Sequence, residues 1–248
     1  ASLEALPEVT EPPKPMLRIL GSARAERKWN TLLAYFLDPS EPHGFGADLL
    51  KAFLDTVEEV TDDRIEYYHR DIELVTVETE VASPQNNRPD IVIRVSGRWF
   101  VCIESKVDAP QEEGKPERYV ADPHIGNEEK TEYPGDGHHY LFLSKELAPD
   151  VTADEFEDIY WRTVVDAFQE ELKLSHGRYP ERSVSQLNDF LSTILTVTNM
   201  EDNDFAELQR EKIQLLSEYR DDIDDLLAAA ESLRERAIAD WPELFRSQ

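Results

Sequence analysis

From Ile91 the chain reads IVIRV, breaks at Ser96-Gly97-Arg98 and resumes as WFVCIESKV, with β-branched and aromatic residues in both arms. That pattern predicts a tight β-hairpin. Upstream, Trp29, Leu32, Leu33 and Phe36 recur at helical spacing and predict a helix over 24–37, ended by Asp38-Pro39. A turn at His43-Gly44-Phe45-Gly46 leads to a second amphipathic helix over 47–60, through Leu49, Leu50, Phe53, Leu54 and Val57. His43 reads as a hydrogen-bonding loop residue rather than a ligand. Residues 72–81 predict a strand that enters the hairpin through the loop 83–87.

Downstream, the polar, turn-rich stretch 123–137 reads as a mobile insertion near the hairpin end. Strands are predicted over 138–144 and 158–164, then a helix through Phe168 and Leu172 and another over 184–198. Helices alternating with strands argue for an α/β domain built on a mixed sheet. Residues 202–238 predict a long helical region whose apolar spacing wanders between three and four. Such a region packs on the core or on a second copy, so a homodimer through these helices is one expectation and intrachain packing the other. The organisation expected is a flexible Pro-rich arm over 1–23, one domain over 24–198 and a C-terminal helical extension over 199–248.

The hairpin carries the candidate chemistry. Side chains alternate along a strand, so Phe100, Cys102, Glu104 and Lys106 share one face. A carboxylate and an ammonium thus end a mostly apolar strand, a costly placement unless they are paired or bind something. Asp90 follows Pro89 where the partner arm begins, which brings it near the same end of the hairpin. Two carboxylates converging beside strand carbonyls form a hard-oxygen set suited to Mg²⁺ or Mn²⁺. Lys106 then stands where it can hold or deprotonate a metal-bound water, which is the chemistry of phosphodiester hydrolysis.

Pro89-Asp90, thirteen residues, then Glu104-Ser105-Lys106 resembles the signature of the PD-(D/E)XK nuclease superfamily. Asp108-Ala109-Pro110, the run Gln111 to Gly114 and Glu117-Arg118-Tyr119 resemble the segment after the catalytic strand in one branch of it. The helix ending Tyr35-Phe36-Leu37-Asp38-Pro39, followed by His43-Gly44, resembles how that branch begins, so the likeness spans about residues 24 to 197. It implies a restriction-endonuclease-like core, with helices flanking a mixed sheet, and a metal-dependent nuclease with DNA as the expected polymer. Asp90 and Glu104 would hold the ion with the Ser105 backbone carbonyl, and Lys106 would position the attacking water. Glu80 matches an extra carboxylate before the Asp, its alternative being a solvated edge charge. Glu26, on the first core helix, matches an acid that reaches the metal site, its alternative being a carboxylate favoured at a helix N-terminus. Lys115 and Tyr119 would line the substrate side. Lys115 stands where the pattern usually carries Gln, and Pro116 suits the first turn of a helix starting there.

Charge complicates this picture. Acids outnumber bases 53 to 26, a formal net charge of −27, and that excess opposes a polyanionic partner. Yet the charge is dispersed, and 17 of the 26 basic residues are Arg against 9 Lys. An acidic, Lys-poor chain reads as one adapted to a salt-rich, halophilic cytoplasm, where the Debye length shrinks to roughly 3 Å at 1 M. A single cysteine, Cys102, excludes an internal disulfide and fits a reducing, cytoplasmic setting. No apolar run is long enough to span a membrane, and the first residues lack a signal-peptide pattern.

Phosphate-loop, dinucleotide, zinc-protease, paired-cysteine and nucleophile-elbow motifs are absent. His138 and His139 alternate across a strand and cannot chelate together. The rival to a nuclease is a catalytically inactive nuclease-like fold, a DNA-binding or protein-interaction module in which Asp90, Glu104 and Lys106 form a structural ion-pair cluster.

Overall fold

A computed structural model describes residues 13–61, 65, 69–107, 114–145, 153–175 and 177–198. Met16–Ile19 (α1), Glu26–Leu37 (α2), Asp48–Val60 (α3) and His69–Ile72 (α4) precede the strands Thr76–Thr79 (β1), Ile91–Val95 (β2) and Trp99–Ser105 (β3). Lys115–Ala121 (α5) is followed by a two-residue ladder, His124–Ile125 (β4) with Glu128–Glu129 (β5). His138–Ser144 (β6), Phe156–Tyr160 (β7), Trp161–Leu174 (α6) and Glu181–Val197 (α7) complete the order.

The hairpin forms as its pattern requires. Val95 faces Trp99 across a three-residue turn, with Gly97 at φ +69° and the Arg98 amide donating to the Val95 carbonyl at 2.9 Å. Around it the sheet runs β1-β2-β3-β6-β7. The first three strands are antiparallel; β3 with β6 and β6 with β7 are parallel. This is the mixed sheet expected.

Every residue of β3 is buried because both of its faces are covered. On one face Ile91, Ile93, Val101, Ile103, Leu141 and Ile159 meet the apolar stripes of α2, α3, α6 and α7. On the other, Val92, Phe100, Cys102, Tyr140 and Phe142 meet Tyr119 of α5 together with Ile125 and Tyr133. Trp29 and Trp161 pack edge to face at 5.0 Å and join α2 to the start of α6.

Four expectations change. The strand predicted over 72–81 is confined to Thr76–Thr79, because His69–Ile72 is a helical turn whose Asp71 pairs with Arg98, and Glu80 turns to φ +51°. The strand predicted over 158–164 ends at Tyr160, because Trp161, Val164, Val165 and Phe168 supply a helical stripe for the core. The stretch 123–137 is built into the second apolar layer through Ile125, Tyr133 and the buried Lys130. The arm expected over 1–23 gives way at Met16 to a helical turn whose Met16 amide donates to the Asp189 carboxylate of α7. The extension over 199–248, with its dimer expectation, and the stretch Asp108 to Glu113 lie outside the described residues.

Candidate active site

The end of β3 is where the sheet, α2 and α5 meet. The ladder with β6 continues one residue past the strand, the Lys106 amide donating to the Leu143 carbonyl at 2.8 Å. The Trp161 indole donates to the Lys106 carbonyl at 3.2 Å, so the backbone carrying the Lys is held from two sides. Asp90 precedes β2 on the same face as Glu104, and its Oδ2 accepts the Ser105 amide at 2.8 Å.

Glu104 is fully buried and surrounded by donors. Its Oε1 lies 2.8 Å from Lys106 Nζ and 2.6 Å from Lys115 Nζ. The Tyr119 hydroxyl stands 3.3 Å from Glu104 Oε2 and 2.7 Å from the Arg88 carbonyl, and its one proton serves one of the two. Lys106 Nζ also reaches Glu26 Oε1 at 3.2 Å, while Glu26 Oε2 accepts the Val107 amide at 3.1 Å. Asp90, Glu104, Ser105, Lys106, Lys115, Tyr119 and Glu26 are thus brought together.

Glu80 is not. Its amide donates to the Asp90 carbonyl at 3.2 Å, but its carboxylate pairs with Arg27 at 2.7 Å. Its backbone is left-handed and its side chain exposed, and it is the Glu80 amide, not the carboxylate expected at the site, that meets Asp90. Pro116 falls in the first turn of α5, behind the left-handed Gly114, as the sequence suggested.

Ionisation follows from this crowding. Burial, then the neighbouring Glu104 charge, push the Asp90 carboxyl up to about 7, against the Ser105 amide and the two lysines. Burial works to lower Lys106, but Glu104, Glu26 and Asp90 outweigh it and hold its ammonium above the ordinary value. Burial, reinforced by Glu104, raises the Tyr119 phenol far above its usual range, so it stays a neutral donor. Cys102, fully buried, is raised too and remains a packed thiol.

The donor set fits a divalent cation. Two carboxylates on one face, one of them raised by the other's charge, are relieved by a positive ion between them. Asp90 and Glu104 are the residues that would hold it. Among the described residues no group of three or more His, Cys, Asp or Glu side chains that could hold a metal ion gathers.

A family model of the PD-(D/E)XK nuclease superfamily matches residues 16–224, most of the chain. The chain belongs to the PD-(D/E)XK nuclease superfamily. No curated protein and no solved structure matches it. In this chain Asp90, Glu104 and Lys106 sit at one strand end, and α2 delivers the acid that anchors the Lys.

Three features escaped the sequence reading. Asp122, 2% exposed, accepts Ser83 Oγ at 2.5 Å, Asn87 Nδ2 at 2.7 Å and the His124 amide at 2.9 Å. It thereby clamps the loop preceding Asp90 to the end of α5. Lys130, buried, donates to the carbonyls of Tyr119 and Val120 at 2.5 and 3.1 Å and closes the last turn of that helix. Arg88 and Arg118 are exposed residues on the two backbones that the Asn87 side-chain amide and the Tyr119 hydroxyl tie together. Only Arg88 had a local signal, its place beside Pro89-Asp90.

Proposed function

We propose that the protein is a metal-dependent nuclease that hydrolyses phosphodiester bonds, with DNA as its polymer and Mg²⁺ or Mn²⁺ as its ion. The observation that carries this reading is the meeting of Asp90, Glu104 and Lys106 at one end and on one face of the hairpin. Asp90 and Glu104 would hold the ion, with the Ser105 carbonyl. The ion would supply positive charge to the phosphate and acidify a water.

The carboxylates around Lys106 favour its ammonium form, so its part would be that of a donor that orients the water and offsets charge gathering on the phosphate. Glu26 fixes the direction of that ammonium. Tyr119 braces Glu104 from the opposite side, and Lys115, Arg88 and Arg118 offer cations to neighbouring phosphates. A local positive rim of this kind is what a chain of net charge −27 needs to approach a polyanion, aided by salt. The salt-rich cytoplasm read from the composition belongs to the same proposal. Among the described residues no helix is long and apolar enough to cross a membrane.

One observation favours the inactive module instead: Glu104 is already satisfied by two ammonium groups. The deciding experiment is cleavage of labelled duplex DNA, single-stranded DNA and RNA in molar KCl with Mg²⁺ or Mn²⁺, comparing wild type with Lys106→Ala. Metal-dependent cutting lost in the variant is expected. Binding of nucleic acid with no cutting, across metals and salts, would move the assignment to the module.

A further inference from the structure

Resting on the nuclease reading, we propose that Lys115 is a placeholder cation. Its ammonium holds Glu104 when no divalent ion is bound, yields that carboxylate when one binds, and then meets a phosphate of the substrate.

Glu104 Oε1 accepts from both lysines, at 2.8 Å from Lys106 and 2.6 Å from Lys115. A carboxylate oxygen has two lone pairs, so these two donors spend what Oε1 can offer. An ion held by Glu104 would share that carboxylate with two ammonium groups close by, and like charges so placed repel. One lysine giving way would relieve that repulsion.

The structure distinguishes the two. Lys106 is held by a second carboxylate, Glu26, its backbone is locked to Leu143 and Trp161, and its side chain is 14% exposed. Lys115 sits in the first turn of a seven-residue helix behind left-handed Gly114, its side chain is 20% exposed, and among the described residues Glu104 is the carboxylate it touches. It also lies 5.6 Å from the centre of the Tyr119 ring. Its flexible stem and point charge suit a change of partner, where the planar fork of an Arg would not.

The test is Mn²⁺ binding to the full chain without nucleic acid, at fixed ionic strength, read from the EPR signal of free Mn²⁺. Lys115→Gln and Lys115→Met, which remove the competing charge, are expected to bind Mn²⁺ at least about tenfold tighter than wild type, within the usual range for two coupled ligands. Lys115→Arg, which keeps the charge, should bind no tighter than wild type. With Mn²⁺ saturating, both uncharged variants should still lose kcat/KM on DNA. Unchanged or weaker Mn²⁺ binding in both uncharged variants overturns the proposal, as does equal tightening in Lys115→Arg. Full kcat/KM in the uncharged variants would overturn the phosphate role. A different failure, wild type and Asp90→Asn binding Mn²⁺ alike, would remove the metal site itself rather than the part given to Lys115.

Discussion

Lys106 Nζ lies 3.2 Å from Glu26 Oε1, although eighty positions separate the two residues along the chain. The contact aims an ammonium that would otherwise follow Glu104 alone, and it ties the first turn of α2 to the end of β3. Under the nuclease proposal Glu26 is therefore a positioning residue.

Replacing it tests that role. Glu26→Gln should lower kcat by about tenfold, against the 10²–10³-fold order expected for Lys106→Ala, which removes the donor itself. Glu26 also helps to hold the Lys106 proton, so the alkaline limb of the pH–rate profile should move to lower pH in Glu26→Gln. An unmoved limb with a lower kcat would reduce Glu26 to a purely structural contact.

Asp90 should weaken the fold it serves. Without a divalent ion the folded chain keeps the Asp90 proton up to about 7, while the unfolded chain releases it near 3.8. Folding is therefore penalised progressively between those values and fully above them. Asp90→Asn keeps an acceptor for the Ser105 amide and carries no charge. In urea denaturation with EDTA it should be more stable than wild type at pH 8, by about 2 kcal/mol after allowance for partial exposure, and equal to it near pH 3.5. Added Mg²⁺ or Mn²⁺ should then stabilise wild type alone.

Asp122 predicts a loss of stability with a local signature. Asp122→Ala leaves the donors of Ser83, Asn87 and His124 without their acceptor and should cost about 2–4 kcal/mol. Because those donors belong to the loop that leads to Asp90, amide exchange should rise in 83–90 and at the end of α5 before it rises in α3 or α6. Uniform acceleration across all helices would argue against the clamp.

His43 gives the fold a pH dependence that sequence position does not suggest. Its ring is buried, Nε2 donates to the Asp38 carbonyl at 2.9 Å and Nδ1 accepts the Phe45 amide at 3.0 Å, an arrangement that needs the neutral imidazole. Burial lowers its pKa below the ordinary 6.5, outweighing the Asp38 carbonyl and the nearby acids. Its stabilisation is present above that value and is lost as pH falls toward the folded-state pKa. The urea midpoint of wild type should drop more between pH 7.5 and 5 than that of His43→Gln, in which other groups titrate alike.

Local pattern determined a large part of this protein. The hairpin, its Ser96-Gly97-Arg98 turn, α2, α3, β6 and the placement of Asp90, Glu104 and Lys106 at one strand end follow from residues within a few positions of one another. Two-residue and helical periodicities are near-neighbour properties, and a single chain displays them openly. Where two periods overlapped, the longer-range interaction decided. Trp161 to Val165 are β-branched and aromatic enough for a strand, yet the core takes their helical stripe. Tertiary structure alone decided that the Glu26 carboxylate reaches Lys106 and that the Glu80 carboxylate turns to Arg27. It also decided that Lys115 occupies Glu104 and that Asp122 fastens the Asp90 loop. Each of these depends on the height and angle at which α2 and α5 pack on the two faces of the sheet. Those are set by the volumes of side chains far apart in sequence, so no local spacing announces them.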